Sequence, residues 1–252
     1  MSRGSAGASP SPPHKLPRGT FWPAVGREGV REHHSSDFVT LEVLIRDCGG
    51  CVMLFTIGHS THLFSRFAEL LRCHGITAIA DVRSAPYSRY NPQYNREALK
   101  AALESVGIAY SHLGEQLGAH RKEPESFTPE GALDFGLTAQ TASFREGIQR
   151  LKTGLQKYSI AMMCAEQDPL TCHRNLLISR FLREEVTDLS HIRGDGQIET
   201  QEALESRLLS ECKLPQRDLF RTRQQLVALA YERLGRWKPT APDEVETDFE
   251  LP

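Results

Sequence analysis

From Met53 onward the chain alternates short apolar runs with helical repeats, and no other feature narrows its choice of fold as much. Leu54-Phe-Thr-Ile57 reads as a buried strand. Leu63, Phe64, Phe67, Leu70 and Leu71 then recur at helical spacing, and Gly75 stops the helix. Residues 76–82 form a second apolar run. Strand, helix and strand over about thirty residues make a βαβ unit, with parallel strands and a right-handed crossover. The pattern repeats: Asn95 is placed to cap a helix carrying Leu99, Leu103 and Val106, Gly107 ends it, and residues 108–113 make a third strand. A polar loop with Gly114, Gly118, Pro124 and Pro129 leads to a helix with Phe144, Ile148, Leu151 and Leu155 on one face. Residues 159–164 are the most buried-looking strand. A helix over 175–185 follows, residues 186–192 make the last strand, and helices over 200–209 and 218–234 finish the chain. The expected fold is α/β: a layered, mostly parallel sheet with helices on its faces, in a single domain spanning 53–236 with flexible termini.

The flanks carry no such pattern. Residues 1–36 are rich in Ser, Gly, Pro and Arg without hydrophobic period, so 1–52 is expected to be disordered or poorly structured. The run 38–45 has no clear allegiance, and Cys48-Gly-Gly-Cys51, half a zinc pattern without a second pair nearby, is read as coincidence. Residues 237–252 read as an acidic, flexible tail. A basic, acid-free start hints at a transit peptide, but Pro10, Pro12, Pro13 and Pro17 oppose an amphipathic helix. No secretory segment or membrane-length apolar run is present, and six scattered cysteines make no disulfide scaffold, so reduced thiols in the cytoplasm are expected. A formal net charge of −2 argues against broad electrostatic binding of nucleic acid, though not against a local basic strip.

Ligands of open parallel sheets bind beyond the carboxyl ends of the strands. Three segments put unusual polar residues there: Gly58-His59-Ser60, Asp81-Val-Arg83-Ser-Ala-Pro86, and Cys164-Ala-Glu166 running through Pro169 to Cys172-His173-Arg174. A thiol entering a helix beside His and Arg is open to activation, which makes Cys172 a candidate nucleophile, His173 its base or orienting partner, and Glu166 a proton-handling or positioning group. Arg83 and Arg174 suggest a two-armed clamp on phosphate or carboxylate, with His59, Asp81, Arg89 and Cys164 completing the binding set. Structural readings stand beside each of these. Cys164 ends a buried strand and is a natural packing residue, Cys172 and His173 can cap the helix, Asp81 and Arg83 can be a loop ion pair, and His59 a satisfied loop histidine. Cys164, Cys172, His173, His59 and Glu166 match no common zinc spacing, so neither a metal nor another cofactor is expected. The loop from Arg83 to Tyr94 interleaves arginines with tyrosines, as stacking surfaces for single strands do, or else its tyrosines pack on the sheet.

On these residues the chain resembles domain-of-unknown-function family 488. The matching stretches are Phe55-Thr-Ile-Gly-His-Ser60, Asp81-Val-Arg-Ser-Ala-Pro86 with Ser88-Arg89, Gly107-Ile-Ala-Tyr110 leading to Leu117-Gly118, and Met163-Cys-Ala-Glu166 through Cys172-His-Arg174, with His191-Ile192 downstream. The resemblance covers residues 53–236. It departs at Ala119-His120, where the family usually carries Gly-Arg. It implies the fold and the place of the site but no reaction. The expected function is an anion-binding site for a phosphate or nucleotide-like ligand at the sheet's carboxyl edge, either in a cysteine-dependent enzyme or in a non-catalytic ligand or partner module. The alternative is a nucleic-acid-associated protein using loop 83–94. No membrane contact is expected, and oligomeric state is not legible.

Overall fold

Side chains alternate along β1 (Met53–Gly58), and the strand is buried on both sides, with Leu54 in one apolar cluster and Phe55 and Ile57 in the other. Burial on two faces is the signature of a central strand in a parallel sheet. The computed structural model describes residues 53–183, 185–186 and 188–237, and there β1 lies between β5 (Ile160–Cys164) and β6 (Asp188–Ile192). Beyond β5 come β2 (Ala78–Asp81) and β3 (Ala109–His112), and beyond β6 comes β7 (Ile198–Thr200), in the order β3-β2-β5-β1-β6-β7. All pairings are parallel except that of β6 with β7. A separate short pair joins β4 (Leu133–Asp134) to β8 (Arg236–Trp237).

The chain steps outward from β1 to β2 to β3, then turns back to β5 and on to β6. Right-handed crossovers put helices from the two directions on opposite faces. On one face α1 (Phe64–Cys73) and α2 (Arg96–Ser105) bury Phe67, Leu70, Leu71, Leu99 and Leu103 against Ile57, Ile79 and Met163. On the other, α5 (Ala142–Leu155), α7 (Gln201–Glu211) and α8 (Arg223–Leu234) cover Leu54, Ala80, Ile160 and Met162. Each fully buried Leu or Phe contributes about 1.5–3 kcal/mol. The fold is therefore the expected α/β sandwich of layers.

Several elements differ from the expectation. β6 is not the last strand, because Asp195-Gly196 closes a hairpin into β7, with Gly196 at φ +94° and the Gly196 N–H on Arg193 O. The loop 114–141 carries α3 (Gly114–Leu117) and α4 (Phe135–Gln140), the latter capped by Asp134 Oδ1. The helix after Cys172 is a π-helical turn, Arg174–Ser179, followed by a single turn α6 (Arg180–Leu182). α8 begins at Arg223 and not near Asp218, since Thr222 and Gln225 form a capping box while Asp218 closes the preceding turn onto the Phe220 and Arg221 N–H groups. Asn95 occupies the cap position of α2, yet its side chain accepts the Ser88 N–H. The expectations for residues 1–52, including Cys48 and Cys51, and for the tail from 238 lie outside the described residues.

Candidate functional site

β2, β5 and β1 are neighbours, and all three end in motif residues. The connections leaving β1 and β2 run to the α1/α2 face, whereas the one leaving β5 runs to the opposite face. Such a parting of connections opens a crevice at the carboxyl edge, the usual ligand position in this architecture. A cavity of about 340 Å³ lies there, lined by His59, Arg83, Ser88, Asn91, Glu166 and Gln167 among others.

Arg83 is buried and fully engaged with Asp81: its Nε donates to Oδ1 at 2.9 Å and its Nη2 to Oδ2 at 2.7 Å. Nη2 also donates to the Tyr94 carbonyl at 2.9 Å, and Nη1 to His59 Nε2 at 3.1 Å. That last bond fixes the imidazole. His59 Nδ1–H donates to Ser60 O at 2.8 Å, so Nε2 carries the lone pair. Burial and then the Arg83 charge lower the His59 pKa to about 4. The ring stacks on Tyr94 at 4.1 Å between centroids, and the next residue, Ser60, sits in the left-handed region at φ 47°. Tyr110 closes the set by donating to Asp81 Oδ2 at 2.8 Å. Arg83's pKa is raised, because the Asp81 hydrogen bonds outweigh burial.

The second half of the site is a knot of sulfur, nitrogen and oxygen. One ligand-type atom from each of Cys164, Glu166, Cys172 and His173 lies within 4.8 Å of all the others. Cys164 Sγ donates to Glu166 Oε2 at 2.6 Å, and Cys172 Sγ is 3.1 Å from the same oxygen. His173 Nε2–H donates to the Val82 carbonyl at 3.0 Å, which turns Nδ1 toward the sulfurs, 3.6 Å from Cys164 and 3.8 Å from Cys172. Both cysteines are buried, while Glu166 is exposed on the cavity side. The two thiols diverge. Burial and the neighbouring Cys172 push Cys164 up. At Cys172 burial is outweighed by the Cys164 hydrogen bond, Arg174 and His173, and the thiol is held well down.

Arg174 is placed differently from a clamp arm. It is fully buried, and Nη1 and Nη2 donate to the Glu166 and Gln167 carbonyls at 2.6 and 2.9 Å, so it shapes the 165–167 backbone from beneath. Arg89 is exposed, does not line the cavity, and lies over the Tyr90 ring at 4.9 Å. The sequence reading noted Tyr110 in a family stretch and Tyr94 in the Arg/Tyr loop but gave neither a place in the site; the Ile79–Tyr110 strand register is what brings Tyr110 to Asp81.

These features define a mostly parallel α/β protein with a thiol, imidazole and carboxylate cluster at its carboxyl edge. Residues 64–181 match the family described as Domain of unknown function DUF488, in line with the resemblance read from the motifs. The matched span holds Asp81, Arg83, Cys164, Cys172 and Arg174; it is narrower than 53–236, and the stretches 55–60 and 191–192 fall outside it. No curated protein and no solved structure matches the chain.

Proposed function

We propose that this protein is a cysteine-dependent enzyme acting on a small anionic, nucleotide-like molecule held in the cavity beyond β1, β2 and β5. The carrying observation is the convergence of Cys164, Cys172, His173 and Glu166 within 4.8 Å, with Glu166 shared between that cluster and the cavity wall. Its volume of about 340 Å³ suits a small ligand. His59, Ser88 and Asn91 supply polar contacts, and the remaining Nη1 hydrogen of Arg83 offers a charged donor. Cys172 is the reactive sulfur: its thiol proton passes to His173 Nδ1, the sulfur bonds to the substrate's electrophilic atom as the bond to the departing group breaks, and Nδ1 returns that proton to the departing group. Asp81 and Arg174 position Arg83 and the loop. Free Cys73, Cys164, Cys172 and Cys212 agree with a reducing, cytoplasmic setting, and no helix among the described residues is long and apolar enough to cross a membrane.

A second reading draws on Tyr87 and Tyr90, 58% and 77% exposed, with Arg89 stacked on Tyr90: a surface suited to single-stranded nucleic acid.

The test is a thermal-shift series with inorganic phosphate and nucleoside phosphates on metal-stripped protein. A ligand at 100 times its Kd stabilises by about 2.7 kcal/mol, and the shift is expected to vanish in His59→Ala. Iodoacetamide mapping is expected to find Cys172 modified and protected by the same ligand. No shift with any of these anions, together with an inert Cys172, overturns the reading. A salt-sensitive anisotropy change with short single strands that Tyr90→Ala abolishes selects the second one.

A further inference from the structure

We infer that Cys164, Cys172, His173 and Glu166 together bind a soft divalent cation of the zinc class. The inference rests on the reading of this cluster as the reactive centre, and it names the ion that occupies the centre at rest.

Donor chemistry comes first. Two cysteine sulfurs and an imidazole select zinc-class ions over magnesium or calcium, which prefer all-oxygen shells. Geometry agrees. With Zn–S about 2.3 Å and Zn–N about 2.0–2.1 Å, the sulfur-to-nitrogen edge of a tetrahedron is about 3.6 Å. His173 Nδ1 lies 3.6 Å from one sulfur and 3.8 Å from the other. The imidazole is also held as a metal-ligating histidine is held: its far nitrogen donates to the Val82 carbonyl at 3.0 Å, which sets the ring's orientation and keeps Nδ1 free. Glu166 Oε2 sits 2.6 and 3.1 Å from the sulfurs, inside the edge of about 3.5 Å that a bound ion sets. Its side chain is exposed, so it has room to withdraw toward the cavity and take the fourth position.

Charge gives an independent argument. Three groups that each carry negative charge when deprotonated crowd one point, and the adjacent guanidinium, Arg174, spends both Nη groups on backbone carbonyls. A cation at the shared point satisfies all four lone pairs. Binding releases the thiol protons to solvent and changes no oxidation state. With the ion bound, the Cys172 sulfur is a metal thiolate shielded from electrophiles, and its departure frees the nucleophile. The sequence spacing 164/166/172/173 concealed this set, which is why no metal was expected.

The test uses the full chain, reduced and stripped by chelator, titrated with Co²⁺. The expected result is a near-ultraviolet sulfur-to-cobalt band with the visible bands of tetrahedral cobalt, displaced by Zn²⁺ and untouched by Mg²⁺. Cys172→Ser removes one of two sulfurs and is expected to cut the band by about half or abolish it. Glu166→Ala alters an exposed side chain, leaves the fold intact, and is expected to weaken Co²⁺ binding about tenfold or more. Zn²⁺ is expected to block iodoacetamide at Cys172. Absence of the band in fully reduced protein overturns the inference. So does a band unchanged in Cys172→Ser, which assigns the ion to other cysteines such as Cys48 and Cys51. Ligand-dependent stabilisation without a cobalt band fells the cation alone; a cobalt band without anion-dependent stabilisation or Cys172 alkylation fells the enzyme reading alone.

Discussion

His191 makes acid sensitivity a quantitative test of the core. It is fully buried on β6, with Nδ1 accepting from Thr56 Oγ1 at 2.8 Å and Nε2–H donating to Gln201 Oε1 at 2.9 Å. Gln201 continues the network by donating to Tyr231 Oη at 2.9 Å. Burial lowers the His191 pKa from 6.5 to about 3, so the folded chain keeps the ring neutral far below the pH at which a free imidazole takes up a proton. In the unfolded chain the same ring takes up a proton near pH 6.5. Between those values the unfolded state binds the extra proton, so stability falls as pH drops from about 6.5 toward about 3 and levels off below. At 1.36 kcal/mol per unit, the loss reaches about 3 kcal/mol at pH 4. His59, lowered to about 4, adds to it in the same direction. Urea unfolding at pH 7 and pH 4 measures the difference. His191→Leu is expected to cost about 2–4 kcal/mol at pH 7, through the unpaired Thr56 and Gln201 groups. It is also expected to lose about 3 kcal/mol less than the parent on acidification. Equal acid losses in the two proteins, or a His191 ring titrating near pH 6.5 by NMR, refute the reasoning.

Three further outcomes follow from the site. Arg174→Ala, which strands two carbonyls and empties a buried volume, is expected to lower stability by about 3–5 kcal/mol whether or not an anion is present, measured by urea unfolding with and without phosphate. Asp81→Asn breaks a buried bidentate ion pair and is expected to cost about 3–5 kcal/mol by the same assay. At Gly58 an added Cβ falls 1.9 Å from the Glu166 carbonyl oxygen, so Gly58→Ala is expected to cost about 1–3 kcal/mol and to speed amide hydrogen exchange at 165–167.

The layers were legible because apolar spacing is a local property. Phe67, Leu70 and Leu71 announce a helix, and Gly75, at φ +63°, announces its end. The edge on which polar motifs gather was legible for the same reason, since His59, Arg83 and Cys164 close three strands. Partners were not. A guanidinium in a sequence declares its charge but not which acceptors lie within reach. Arg174, read as one arm of an anion clamp, instead found the two carbonyls of its own loop. The hairpin into β7 was signalled by Asp195-Gly196 and masked by the weak β pattern of Ile198–Thr200, a short edge strand whose residues are exposed or half-buried. The π-helical turn had no local signal at all.

Arg174 grips main-chain oxygens, and every amino acid possesses one. The course of the strap over the cavity is therefore indifferent to the side chains it carries at 166 and 167. In descendants of such a chain position 167 is free to be exchanged, and new specificities tried, without redrawing the frame that keeps Glu166 in its cluster.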